Sequence, residues 1–435
     1  MAKVAVIGFG TIGAGVARLL VEQHERIARR AGEKLELVRV VDTDLKRTRN
    51  FDLPPGVLTA NLADVLDDPE IAAAVELVGG LEPARTIVLK LLESGKNVVT
   101  ANKALLAEHG PELFDKARKL GRTIAFEAAV AGGIPIIAAV GESLIANQIE
   151  SIHAILNGTS NFILTQMEEH DTDYAVALAE AQRRGYAEAN PAMDVDGSDA
   201  AQKLAILGHL AFGARVKWRN IPRTGIDAVD VADIRYAKEL GYSIKLLAVA
   251  ELVPEGLELH VSPTLVRQGT PLAEVRGAFN AMRIVGDAVG PVFFHGLGAG
   301  QMPTASAVVA DLINTVTGRT SITSRLLNLW SSDGRAAVPT RDPAKVPGRF
   351  YLRFNVEDRP GVIAEIAGVL GRHEISIASL IQHEAAEEEG ENTANAVPLV
   401  IMTHASTEGR MADAMKAIGR LEVVRPGSIK MRVRD

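Results

Sequence analysis

Two lysines and a run of carboxylates are the residues best suited to chemistry in this chain. The stretch Gly185–Lys203, "GYAEANPAMDVDGSDAAQK", holds Glu188, Asp194, Asp196 and Asp199 ahead of its terminal lysine, Lys203. The Asp194–Asp199 segment has the look of a calcium loop, but it lacks the glutamate that such a loop carries at its twelfth position. The same run also reads as a solvated surface loop or as an active site. Ser198 is of the right type to N-cap a helix Asp199–Leu210, and Asp199 and Lys203, four apart, share one face of it, as an exposed ion pair would. Lys103 closes Val98-Val99-Thr100-Ala101-Asn102-Lys103, at the C-terminal end of an expected strand, where open α/β sheets bind ligands. It also stands at the positive N-terminus of the next helix, where a cation is electrostatically misplaced. None of the ten histidines forms a close-spaced ligand pair. A carbonyl reduction without zinc needs a cation or proton donor at the developing alkoxide, and lysine supplies both.

The third feature is Gly8-Phe9-Gly10-Thr11-Ile12-Gly13, which follows an apolar strand Lys3–Ile7 and opens a helix read as Ala14–Arg30. That context matches a dinucleotide fingerprint, in which glycines let the backbone approach a pyrophosphate at a helix N-terminus. Asp42, at the end of a strand Leu35–Val41, is placed to accept ribose hydroxyls and to repel a 2′-phosphate, which favours NAD. Lys46, Arg47 and Arg49 follow at once and would receive that phosphate, which leaves NADP open.

The elements that must position these residues alternate. Strands at Ala73–Val78 and Asn97–Thr100 and helices at Thr86–Glu93 and Lys103–Leu120 extend the βα pattern into a doubly wound parallel sheet. From about Ala128 the texture changes to glycine-rich apolar stretches, with strands at Ile244–Leu252 and Leu257–Val261, read as an α+β domain. Helices at Leu312–Thr317 and Ser324–Trp330 return to the first domain. Gly334–Gly348 has the Pro/Gly/charged character of a linker. Beyond it, strand Arg349–Val356, helix Gly361–Arg372, strands Ser376–His383 and Leu399–Thr403, helix Arg410–Ile418 and strand Ile429–Val433 form a βαββαβ unit with an exposed sheet edge.

Composition limits the alternatives. With 435 residues, 47% of them hydrophobic, the chain can fill two to four domains. Its 47 basic and 54 acidic residues give a net charge of −7 without a basic stripe, which excludes nucleic acid as an expected partner. No cysteine is present, so disulfides, thiolate catalysis and cysteine-ligated zinc are excluded. The glycine loop comes too early for a signal-peptide core. The longest apolar run, Ala128–Gly141, falls short of the ~20 residues that span a bilayer, so a cytoplasmic, membrane-free protein is expected.

Four segments together carry a resemblance: the glycine loop, Val99-Thr100-Ala101-Asn102-Lys103-Ala104, Leu156-Asn157-Gly158-Thr159-Ser160-Asn161, and Gly185–Lys203. Over nearly its whole length the chain resembles homoserine dehydrogenases with a C-terminal ACT domain. Asn355-Val356-Glu357-Asp358-Arg359-Pro360-Gly361-Val362 resembles the first strand-to-helix turn of an ACT module. The resemblance implies a Rossmann-type domain at 1–130 completed by helices within 303–330, an α+β catalytic and dimerisation domain at 131–302, a linker at 334–348 and a ferredoxin-like ACT domain at 349–435. It implies NAD- or NADP-dependent interconversion of L-homoserine and L-aspartate 4-semialdehyde, a step of threonine and methionine biosynthesis.

By position, the resemblance makes Lys203 the proton donor and acceptor, puts Lys103 near substrate and nicotinamide, and has Asp199 orient Lys203. Glu188 and Asp194 engage the substrate ammonium, framed by Gly158, Thr159 and Tyr186. Gly8, Phe9, Gly10, Thr11, Ile12, Gly13, Asp42, Thr100, Lys103 and Gly300, the last from the loop Gly296–Gln301, hold the coenzyme. A monovalent cation, sodium, falls to the backbone carbonyls of Glu127, Val130, Gly132 and Ile134. The ACT module implies feedback by an amino acid, L-threonine, with Asn355, Asp358 and Gly361 at its site, in a homodimer or homotetramer. Two rivals stand beside this: a non-catalytic amino-acid sensor on a coenzyme fold, and a dehydrogenase of another small amino alcohol.

Overall fold

Short, apolar and mostly buried segments build the first sheet, because a parallel strand covered on both faces has little side to turn to water. The computed structural model describes residues 1–49, 51–327, 338–383 and 396–435. They divide into two units, Met1–Ser151 with Ala201–Ile221 and Asn280–Pro339, and Ile152–Ala200 with Pro222–Phe279 and Thr340–Asp435.

In the first unit, β1 (Ala2–Ile7), β2 (Leu35–Val41), β3 (Leu58–Thr59), β4 (Ile71–Glu76), β5 (Asn97–Thr100) and β6 (Ile124–Ala125) form a parallel sheet in the order β3-β2-β1-β4-β5-β6. The reversal of strand order beside β1 creates the crevice in which such sheets take ligands. Helix Thr11–Glu22 leaves the glycine loop and packs with Gln301–Val316, whose Ala305, Val308, Val309 and Leu312 enter the same core. The single helix expected over Ala14–Arg30 is two, Thr11–Glu22 and His24–Ala31. The His24 ring takes the Val21 carbonyl at 2.8 Å, and the second helix buries no residue that would hold it in line. The helix expected at Leu312–Thr317 is the end of Gln301–Val316. The next runs Arg319–Leu327, and residues 328–330 of its expected span lie outside the described residues.

The chain crosses between units along β7 (Ile149–Ile155). The second unit contains the antiparallel pair β8 (Tyr242–Val253) and β9 (Gly256–Arg267). β10 (Phe279–Gly286) and β11 (Gly290–Leu297) are adjacent strands. The βαββαβ unit then follows: β12 (Pro347–Glu357), helix Val362–Arg372, β13 (Ile377–Gln382), β14 (Ala396–Thr403), the short β15 (Ser406–Thr407), helix Glu408–Ile418 and β16 (Val424–Arg434). Phe350, Leu352, Phe354, Ile366, Leu370, Leu399 and Ile418 fill its core.

One edge of this sheet is not free as expected. β16 pairs in parallel with β9, Arg432 opposite Thr264, which leaves β13 as the outer strand. The backbone groups of β16 find partners on β9, and side chains fix the seam: Arg434 meets Glu251 at 3.0 Å and Tyr242 meets Asp435 at 2.7 Å. Deeper in, the fully buried Asp233 receives Arg353 Nε at 2.6 Å, Arg353 Nη2 at 2.8 Å and the Tyr351 hydroxyl at 2.8 Å. A buried carboxylate persists only when its lone pairs are filled in this way. Of the segment read as a linker, 334–337 lie outside the described residues. The remainder is pinned, with Arg341 N on the Leu257 carbonyl at 2.9 Å and its guanidinium on Glu258.

Candidate active site

The glycine loop is shaped by what a side chain would strike. Gly8 has φ +98°, and a Cβ there would sit 2.6 Å from the Leu77 carbonyl carbon. A Cβ at Gly13 would come within 2.0 Å of the Gly8 carbonyl oxygen, so the helix start can close on the loop only without one. Asp42 holds the loop from β2: its carboxylate accepts from Phe9 N at 2.7 Å and from Asp44 N at 2.8 Å, and lies 3.3 Å from Arg49. Burial pushes this carboxyl up, yet the two N–H groups and the Arg49 charge outweigh it and leave it below its usual range. Arg49 is not available to a 2′-phosphate. Its guanidinium lies 4.7 Å from the Phe9 ring centroid and donates to the carbonyls of Phe9, Arg47 and Asp44 at 2.7–2.9 Å. Lys46 and Arg47 remain exposed.

Lys103 opens the helix Lys103–Lys119, capped by the Asn102 side chain on Leu105 N at 3.1 Å, and is half-buried. Thr100 is buried, and its hydroxyl donates to Glu76 at 2.7 Å. Glu76 also takes the N–H groups of Val78 at 2.9 Å and Gly79 at 3.2 Å, so these two side chains brace the sheet edge from below. Gly300, φ +122°, heads Gln301–Val316, and Gln301 Nε2 donates to the Thr11 carbonyl at 2.9 Å, tying this segment to the glycine loop.

Glu127 turns its carboxylate to Ile137 N and Ala138 N, both at 2.8 Å, while its own N–H donates to Asp311 at 2.8 Å. Burial raises both acids, Asp311 well above the ordinary carboxylate range, with the Glu127 charge adding to it. The loop beyond is tightly curled: Ala131 has φ +51°, and Ile134 N donates to the Ala131 carbonyl at 2.7 Å. Among the described residues no cluster of three histidines or carboxylates could hold a metal. The carbonyls of Glu127, Val130, Gly132 and Ile134 are neutral hard oxygens, a donor set that suits a weakly charged cation rather than a transition metal.

In the second unit the carboxylates gather around one amide. Asn157, 4% exposed, N-caps helix Gly158–His170 by accepting from Ser160 N at 2.7 Å, and its Nδ2 donates to Asp194 and to Asp199 at 2.9 Å each. The Thr159 hydroxyl donates to the Tyr186 carbonyl at 2.7 Å, and the Ser160 hydroxyl to that of Asp194 at 2.8 Å. The Tyr186 ring lies 4.8 Å from that of Phe162. Gly158, Thr159, Tyr186, Asp194 and Asp199 are thus brought together. Glu188 stands exposed, its carbonyl accepting from Gln182 Nε2 at 3.2 Å.

Asp199 is buried rather than on an exposed face, and lies one turn before the half-buried Lys203 on the helix Ser198–Phe212. Ser198 does not cap that helix as expected. It lies inside the first turn, and its hydroxyl donates to Asp196 at 3.0 Å while its N–H meets the same carboxylate at 2.7 Å. Asp196 is therefore a local brace. Sequence reasoning gave no role to Asn157, Glu76 or Asp311, because each also binds a residue far away in the chain: Asn157 the carboxylates of Asp194 and Asp199, Glu76 the Thr100 hydroxyl, Asp311 the Glu127 N–H. Around the expected effector turn, Asn355 accepts from Arg353 Nη1 at 3.3 Å and donates to the Pro426 carbonyl at 3.2 Å. Gly361, φ +94°, heads Val362–Arg372, and Asp358 is exposed.

A parallel sheet whose first turn is narrowed to admit a pyrophosphate marks the first unit as that of an NAD(P)-dependent oxidoreductase. Comparison with known proteins narrows the class. The profile of the homoserine dehydrogenase NAD-binding domain matches residues 8–127, that of homoserine dehydrogenase 135–313, and that of the ACT domain 350–422. A homoserine dehydrogenase of Pseudomonas aeruginosa is 43% identical over 99% of this chain and 98% of its own; one of Bacillus subtilis is 35% identical over the same shares. The crystal structure of a homoserine dehydrogenase from Thiobacillus denitrificans covers 100% of this chain and 98% of its own at 42% identity, with a TM-score of 0.91. A hyperthermophilic archaeal homoserine dehydrogenase in complex with NADPH covers 73% of this chain and 98% of its own at 26% identity, with a TM-score of 0.60. The chain belongs to the homoserine dehydrogenase family.

Proposed function

We propose that this enzyme interconverts L-homoserine and L-aspartate 4-semialdehyde, with Lys203 carrying the proton at the substrate oxygen. One observation carries the reading: a buried carboxylate, Asp199, sits one turn ahead of Lys203 on a single helix, beside a second carboxylate, Asp194, held by the same amide. Asp194, with Glu188, takes the substrate ammonium; Gly158, Thr159 and Tyr186 frame the amino-acid end; Asp199 orients Lys203; Lys103 stabilises charge at the reacting oxygen. Gly8–Gly13, Thr100, Lys103 and Gly300 would hold the coenzyme, which would supply a hydride acceptor at the substrate carbon. Asp42 tips the preference toward NAD, with Arg49 committed to the loop. The four carbonyls of Glu127, Val130, Gly132 and Ile134 would hold a sodium ion, which would supply a fixed positive charge to this loop. The domain division at 1–130, 131–302 and 349–435 goes with this reading, as does a cytoplasmic location, where the coenzyme pool is its second substrate. The test is reduced-coenzyme formation by the full chain with L-homoserine and NAD or NADP. Turnover only with another small amino alcohol overturns the substrate, and none with any leaves the sensor.

We further propose a homodimer or homotetramer in which β13, the outer strand of the ACT sheet, meets its copy and L-threonine binds near Asn355, Asp358 and Gly361. What supports this is the position of β13 as the outer strand among the described residues, with Leu380 37% exposed, and the helix that Gly361 opens, whose N–H groups suit a carboxylate. Asn355→Ala should weaken threonine binding by about tenfold in calorimetry. Unchanged binding overturns the site.

A further inference from the structure

An asparagine side chain offers two N–H donors and one carbonyl acceptor, and at Asn157 all three are spent on the site. The carbonyl caps the helix whose first residues, Gly158 and Thr159, frame the substrate. The amide nitrogen reaches Asp194 and Asp199, 37 and 42 residues away, at 2.9 Å each. The side-chain assignment is fixed by chemistry, since the opposite orientation would face a carbonyl with two carboxylates and turn an amine on the Ser160 N–H. Two like charges this close repel, and in a buried setting one of them would be driven to take up a proton. A lysine or arginine at position 157 would relieve that repulsion, but it would neutralise the carboxylates and compete with a substrate ammonium. A neutral amide donates to both carboxylates without adding a charge of its own.

We infer that Asn157 is a positioning residue that sets the separation and charge of Asp194 and Asp199, so that one carboxylate faces the substrate ammonium and the other faces Lys203. The inference rests on the roles proposed above for those two carboxylates. Capping alone does not account for the arrangement. A cap needs only an oxygen, which serine or aspartate supplies as well as asparagine does. The two bonds from Nδ2 play no part in the helix end.

Two substitutions separate the roles. Asn157→Asp keeps the capping oxygen and the shape but turns an acceptor toward two acceptors. Asn157→Ser keeps a capping hydroxyl, adds no charge and cannot reach both carboxylates. In the full-length enzyme the positioning role predicts that kcat/KM for L-homoserine falls about 10- to 100-fold in both variants, the cost of losing hydrogen bonds to charged groups. The coenzyme Kd should stay within about twofold of wild type, because the glycine loop is built without Asn157. Should Asn157→Asp fail to fold, Asn157→Ser gives the same reading by itself. If both folded variants keep wild-type kcat/KM, Asn157 is a cap and the inference is overturned. If the wild type does not turn over L-homoserine at all, the roles of Asp194 and Asp199 fall and this inference falls with them, so the two failures are told apart by the wild-type assay.

Discussion

The glycine loop of the first unit and the carboxylate nest of the second solve opposite problems by opposite means. The loop prepares for a dianionic pyrophosphate, and its chief device is the absence of side chains: Gly13 leaves 2.0 Å where a Cβ would collide with the Gly8 carbonyl. The nest, proposed above to take an ammonium, is built with a side chain, the Asn157 amide holding Asp194 and Asp199. Backbone recognition is local and travels with a short motif. Side-chain recognition is assembled from distant positions, so it can be changed without disturbing the coenzyme.

That separation can be broken most severely at the loop. Gly13→Ala forces the helix start away from Gly8, with an overpacking cost of about 1–3 kcal/mol. Coenzyme affinity measured by fluorescence titration should fall by about 10- to 100-fold at that cost. In a folded Gly13→Ala, affinity equal to wild type would mean the close approach is not needed for binding. A smaller effect is expected from Asp42→Ser, which removes the carboxylate proposed to accept the ribose hydroxyls and repel a 2′-phosphate but also frees Arg49 from its 3.3 Å partner. The ratio of kcat/KM for NAD over NADP should drop by about three- to tenfold, most clearly at low salt where Lys46 and Arg47 are least screened. A wild type that already prefers NADP would show that the exposed basic residues decide the coenzyme.

The smallest effect concerns the helix Ser198–Phe212, which carries both Asp199 and Lys203. His209, near its end, is held neutral by burial, down to about 4, against the pull of its bond to the Ala214 carbonyl at 2.8 Å. Its folded value lies below its unfolded one, so the unfolded chain takes the proton first as pH falls. Stability from this group is intact above about pH 6.5 and declines toward pH 4. In thermal melts the wild type should therefore lose more stability than His209→Gln as pH falls through that window. Parallel curves would show that His209 titrates normally.

How much of this was legible in the sequence follows the same division. The strands of the parallel sheet and the glycine turn after β1 could be read because each shows in a short stretch of chain: β2 and β5 have the bounds expected of them, Leu35–Val41 and Asn97–Thr100. The break at Gln23 was missed because Ala14–Arg30 is rich in helix formers throughout, and only the His24 ring on the Val21 carbonyl marks the interruption. Ser198 has the composition of a cap, but Asp196, two residues earlier, takes both its N–H and its hydroxyl. Asn157 could not be singled out as a bridge, since nothing local points to positions 194 and 199. Nor could the pairing of β16 with β9, which depends on strands far apart in the chain.

The most direct test of the account is Lys203→Met, assayed for reduced-coenzyme formation from L-homoserine together with coenzyme binding. The predicted result is a loss of about 10²–10⁴-fold in kcat, the usual scale of a positioned proton carrier, with coenzyme affinity unchanged. A Lys203→Met enzyme with a wild-type kcat would contradict it.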